Sequence, residues 1–119
     1  MTFNGNATAV YSRTRLLGTG AAISSAVRTS ATNIDFEGLA GNTSTANTFM
    51  MAKIELQNYS NATTNKTCLI RGDDANNYAL ATVGLSRSTS AITSISLATS
   101  SAANFMTGST FTIYGILKA

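Results

Sequence analysis

Histidine, proline and tryptophan are absent from this 119-residue chain, cysteine occurs once, and only 13 residues are charged. Each absence excludes a chemistry. Without histidine there is no Ser-His-Asp or Cys-His nucleophile system, and a single cysteine builds neither a disulfide framework nor a thiolate zinc site. No stretch approaches the roughly 18 successive apolar residues of a membrane helix, and the start MTFNGNATAV lacks the charged and then apolar run of a signal peptide. The chain therefore reads as soluble and made in a reducing cytosol, with no membrane partner. Eight basic residues against five acids give a net charge of +3, scattered over the whole length. Nucleic-acid binders concentrate Lys and Arg on one face. The nearest approach here is Arg13 and Arg15, which share one side of a strand and read as a solvated face, so no nucleic-acid partner is expected.

What the chain does have is Thr, Ser and Asn at 44 positions, against 25 Leu, Ile, Val and Phe. That apolar share sits just above the level of about 20% at which chains become disordered, and the low net charge also argues for a folded domain. Its core must be lean, and a permanent oligomer would supply the missing burial. The length fits one domain, residues 1–119, complete from Met1, with 1–7 ahead of the first strand as a flexible N-terminal arm. Five N-x-S/T triplets begin at Asn6, Asn42, Asn58, Asn61 and Asn65, as chance produces in such a composition.

Period-two patterns dominate. In 49–58, Met50, Ala52, Ile54 and Leu56 alternate with Met51, Lys53, Glu55 and Gln57, as a half-buried strand requires. In 32–39, Ile34 and Phe36 point inward and Asp35 and Glu37 outward. Further strands are expected over 8–17, 21–28, 66–71, 77–83, 91–97 and 110–117, which makes eight. Turn-forming clusters separate them at 18–20, 38–47, 59–65, 72–76, 84–90 and 100–109. The Ala-rich stretches 20–31 and 98–103 are the only places for a short helix, and their Ser and Thr content argues against it. Short strands with turn signals between them predict an all-β fold, an antiparallel β-sandwich of jelly-roll-like form.

Few residues invite a chemical reading. Leu16-Leu17-Gly18-Thr19-Gly20-Ala21-Ala22, with Asp35 downstream, is a shortened dinucleotide fingerprint; it lacks the third glycine and the following helix, so a hairpin turn is expected. Arg71-Gly72-Asp73 spells an integrin-recognition tripeptide in a stretch that also reads as an exposed turn. Asp73 and Asp74 with Asn76 and Asn77 could offer oxygens to calcium or magnesium, but the spacing fails the EF-hand pattern and no metal is expected. Cys68 lies in an apolar run with no histidine to activate it and reads as a buried small hydrophobe. Asp35, Glu37, Glu55, Asp73 and Asp74 are the candidate carboxylates for glycoside hydrolysis, without the tryptophans that line sugar clefts. Tyr11, Tyr59, Tyr78 and Tyr114 are the candidates for sugar stacking in a carbohydrate-binding module. The expectation is a protein with no catalytic residues, no cofactor and no metal.

The C-terminal stretch Asn104-Phe105-Met106-Thr107-Gly108-Ser109-Thr110-Phe111-Thr112-Ile113-Tyr114-Gly115-Ile116 resembles the closing strand of a broad group of tailed-bacteriophage virion proteins, whose domain ends on a phrase of the type F-x-x-G-S-x-F-x-L-Y-G-I. Leu69-Ile70-Arg71-Gly72-Asp73-Asp74-Ala75-Asn76-Asn77-Tyr78 is similar to that group's earlier L-R-F-N-G-D-x-G-x-N-Y, though the aromatic-Asn pair before Gly72 is missing. The resemblance covers residues 49–117 and its motifs are structural. It implies β-sandwich modules of capsid decoration proteins, head fibres or tail fibres, frequently trimeric and without a catalytic site. A small chain of this length suits a capsid decoration, or cement, protein that binds the major capsid protein as a homotrimer in the virion, after synthesis in the host cytoplasm. The alternative is a tail-fibre or receptor-binding adhesin module.

Overall fold

A computed structural model describes residues 1–37, 39, 41–42, 44–74, 78–99 and 103–116. Within them the fold is all-β, with seven strands in two antiparallel sheets and no helix. The strands are β1 (Thr2–Phe3), β2 (Tyr11–Gly18), β3 (Ile23–Ala31), β4 (Ala52–Leu56), β5 (Lys66–Asp74), β6 (Tyr78–Ser86) and β7 (Ile95–Ser96). Five of them form the main sheet in the order β3-β2-β6-β5-β4, and β1 pairs with β7 in a small second sheet. The arrangement is sandwich-like, as the composition and periodicity predicted.

Local sequence explains the elements. β2 and β3 form a hairpin across Gly18-Thr19-Gly20: Thr19 N–H donates to Ala22 O at 2.9 Å, and Gly20 takes a φ of +82° that its missing Cβ permits. An antiparallel hairpin has no phosphate-cradling helix, so the dinucleotide likeness ends there. β5 and β6 are the longest alternating pair. Lys66, Cys68 and Ile70 on one and Leu80, Thr82, Gly84 and Ser86 on the other point to the covered face, while Thr67, Leu69 and Val83 point away. Pairing in register carries these alternations across the sheet, giving covered rows such as Arg13-Gly84-Cys68-Leu56 and Arg15-Thr82-Ile70-Ile54.

The cover over that face comes from two places, and both correct expectations. Residues 1–7 are not a free arm. Met1 and Phe3 are buried with Tyr11, Ala31, Ile34, Cys68, Ile70 and Ile92 in the core, and the Met1 ammonium donates to Ile34 O at 2.9 Å. The turn that brings them back is Asn4-Gly5, both residues at positive φ, closed by Asn6 N–H to Phe3 O at 2.9 Å. Positive φ at both central positions is the geometry that Asn-Gly favours. The second cover is 32–37, expected as a strand. Its alternation is right, since Ile34 is fully buried and Phe36 packs on the core, but it forms no strand pairing. It lies across the sheet face instead, and a covering segment needs one apolar side without needing a ladder partner.

Other bounds shift. The expected strands 49–58 and 91–97 shrink to five and two residues, whereas those begun at Lys66 and near Tyr78 run on into stretches expected as turns. No strand is formed by 110–116, the described part of the eighth expected strand.

Candidate assembly surface

The face of the main sheet turned away from the core has no covering layer among the described residues. Its rows follow from register: Val27, Thr14, Val83, Leu69 and Glu55 in one, Ser25, Leu16, Ala81, Arg71 and Lys53 in the next. Leu16, Val27 and Val83 are more than half exposed and form an apolar stripe over β3, β2 and β6. Its border on β4 and β5 is charged. Glu55 accepts from Lys53 at 2.8 Å and from Arg71 at 3.1 Å, and these cations, Lys53 foremost, hold its carboxyl below the ordinary range. Phe49 and Met51 stand exposed just before β4.

A second apolar surface is the C-terminal segment. Phe105 forms an isolated antiparallel bridge with Gly41, and its ring meets Phe111 edge to face at 5.1 Å. Beyond that anchor the chain stands clear, with Phe111 57% exposed, Ile113 84%, Tyr114 87% and Ile116 91%. Large apolar side chains left this open in a contiguous run mark an interaction surface.

The residues singled out by sequence are mostly engaged in holding the fold. Arg13 and Arg15 do not form a solvated face: they lie under 32–37 on the covered side, the Arg13 side chain only 9% exposed. Arg13 donates to Asp35 at 2.7 Å, Arg28 reaches the same carboxylate at 3.1 Å, and Arg15 pairs with Glu37. The Arg13 hydrogen bond outweighs partial burial and lowers the Asp35 pKa. These pairs engage Arg13 and Arg15 with the carboxylates of the covering segment.

Arg71-Gly72-Asp73 is not in an exposed turn; it is part of β5. A Cβ at Gly72 would stand a tight 3.0 Å from Met51 O, and Asp73 accepts from Met51 N–H at 2.6 Å. Asn76 and Asn77 lie outside the described residues, as does the Asp74 side chain, and among the described residues no cluster of three His, Cys, Asp or Glu could hold a metal. Cys68 is buried in the core, as expected, and burial pushes its thiol up to about 11. Tyr11 is fully buried and offers no stacking face, while Tyr59, Tyr78 and Tyr114 are exposed.

One structural residue escaped sequence reading. Lys66 is 1% exposed, its Nζ donating to Thr64 O at 2.6 Å and Thr89 O at 3.0 Å beside a polar recess of about 190 Å³ lined by Asn6, Tyr11, Ser88 and Ser90. Its place in the inward phase of 66-68-70 is the signal that could have found it. Among the described residues no helix is long and apolar enough to cross a membrane. In comparisons with family models, curated proteins and solved structures, nothing matches this chain.

Proposed function

We propose that this protein is a structural component of a tailed-bacteriophage virion, a decoration or cement protein that associates as a homotrimer and binds the major capsid protein on the assembled head. The jelly-roll-like form, synthesis in the host cytoplasm and the absence of catalytic activity belong to the same reading. The observation that carries it is the apolar surface left open on a low-charge β-domain, the sheet stripe at Leu16, Val27 and Val83 together with the segment at Ile113, Tyr114 and Ile116. The motif resemblance at 104–116 and 69–78 supplies the virion context. Function on this reading is binding alone. Apolar contact contributes about 25 cal/mol per Å² removed from water, little of it offset here by charge desolvation, and repetition over a symmetric lattice multiplies the affinity.

The test mixes the purified chain with undecorated capsids. Stoichiometric binding with a raised capsid melting temperature is expected. Binding to host cells or surface polysaccharide with none to capsids would overturn the decoration role in favour of the tail-fibre adhesin.

A further inference from the structure

We infer that residues 110–116 of one copy add as a strand to the open edge of β3 in a second copy. The inference rests on the self-association part of the proposed function and is independent of what the assembly binds.

The donor is a strand without a sheet. Thr110-Phe111-Thr112-Ile113-Tyr114-Gly115-Ile116 is rich in the β-branched and aromatic residues that favour strands, and its apolar side chains fall on both alternating faces, the pattern of a strand covered on two sides. Phe111 is tied at its base to Phe105, yet among the described residues 110–116 form no strand pairing.

The acceptor is a sheet edge without a guard. β3 pairs with β2 along one side only. Natural edges are blunted by lysine, proline, bulges or extreme shortness. Here the register runs unbroken from Gly18↔Ile23 to Arg13↔Arg28, and the irregularity falls beyond it, near Ser30 with its φ of +51°. Over 23–27 the edge carries no charged residue, and Ile23 and Val27 are 85% and 71% exposed. Donor and acceptor match in length at six to seven residues, so main-chain hydrogen bonds can run the full span.

A second copy is the occupant that these features select. Every chain carries this donor and the β3 edge, and among the described residues neither is paired within the chain. Donor-to-acceptor contact between different patches is head to tail, which closes into a ring such as a trimer when the rotation allows.

Light scattering on the full chain, a donor variant Ile113→Pro and an acceptor variant Ile23→Lys/Val27→Lys tests this. All three substituted side chains are exposed, and circular dichroism with melting temperature checks that the fold is retained. The full chain should run at a multiple of 12.3 kDa and each variant at 12.3 kDa. An equimolar mixture of the variants should recover a two-chain species, since the donor variant keeps an intact β3 and the acceptor variant an intact tail. A full chain that runs as a monomer overturns both this inference and the proposed self-association. Multimeric variants, or a mixture that stays monomeric, overturn strand donation while self-association stands.

Discussion

Ile34 sits directly over Gly84: a Cβ built on the glycine would stand 2.8 Å from Ile34 Cδ1, and 2.7 Å from Cys68 Sγ. Gly84 occupies the row Arg13-Gly84-Cys68-Leu56 on the covered face, and its missing side chain is the space that Ile34 fills. Adding a methyl group to a packed site of this kind costs about 1–3 kcal/mol through shifted side chains and backbone. Gly84→Ala should therefore lower the urea midpoint, whereas Gly18→Ala, with nothing within 4 Å of the new Cβ, should stay near wild type. Equal midpoints for the two variants would contradict the packing of 32–37 on the sheet.

Cys68 belongs to the same cluster, and its chemistry reports on that packing. Burial raises the thiol from its ordinary 9.0 to about 11, so the native side chain holds its proton where the unfolded one loses it. Below pH 9 both states are protonated and nothing changes. Between pH 9 and about 11 the unfolded state binds fewer protons, and stability falls with rising pH across that window. At pH 8 the native thiol should resist an aromatic disulfide reagent and react at the rate of opening, then react at once in urea. Immediate reaction in the native state would place Cys68 outside the core.

Asp35 works in the opposite direction. Arg13 is the main cause of its lowered pKa, and Arg28 adds to it. A depressed carboxylate contributes stability above its unfolded value near 3.9 and loses it as pH falls through the lower folded value. Because the Asp35 side chain is 38% exposed, solvent screening limits the effect to about 1 kcal/mol or less. Arg13→Met should flatten the stability-versus-pH curve on the acid side of about pH 4, where the unfolded carboxyl takes up its proton before the native one. A slope identical to wild type would show that the pair does not form in solution.

How much of this was legible in the sequence depends on what each segment pairs with. The alternation at 49–58 marked a strand correctly because it lies in a sheet with one face covered, the situation that period two encodes. At 32–39 the same signal gave burial of Ile34 but not its state, since alternation reports which side is apolar and says nothing about ladder partners. Asn4-Gly5 carries a tight-turn signal, but a two-residue β1 leaves no alternation beside it to mark a strand. Thr110 onward has the composition of a strand and forms none among the described residues; propensity for a strand is a fit to neighbours, and the single chain does not provide them. The open face was unreadable for a different reason: Arg13 and Arg15 share a side in any strand, but only the register and the segment above them decide whether that side is wet.

Tyr11 decides whether the N-terminus is core or arm. Its ring is fully buried against Phe3, centroids 6.1 Å apart, and its hydroxyl accepts from Phe3 N–H at 2.9 Å and donates to Asn6 O at 2.9 Å. One oxygen thus ties both sides of the Asn4-Gly5 turn to β2. Asn4 adds a second tie, with Oδ1 accepting from Thr93 N–H at 2.8 Å and Nδ2 donating to Ala91 O at 2.8 Å. Tyr11→Phe keeps the ring and removes the hydroxyl, leaving the Phe3 N–H and the Asn6 carbonyl without that partner. The cost should be about 1–3 kcal/mol, with hydrogen exchange accelerated at Phe3 and Ile95, which face each other in the β1-β7 pair. Asn4→Ala should accelerate exchange at Thr93 and Ser94 in the same way, because both amides lose their acceptor. Were Tyr11→Phe to leave stability and exchange at wild-type values, residues 1–7 would be the free arm expected ahead of the first strand.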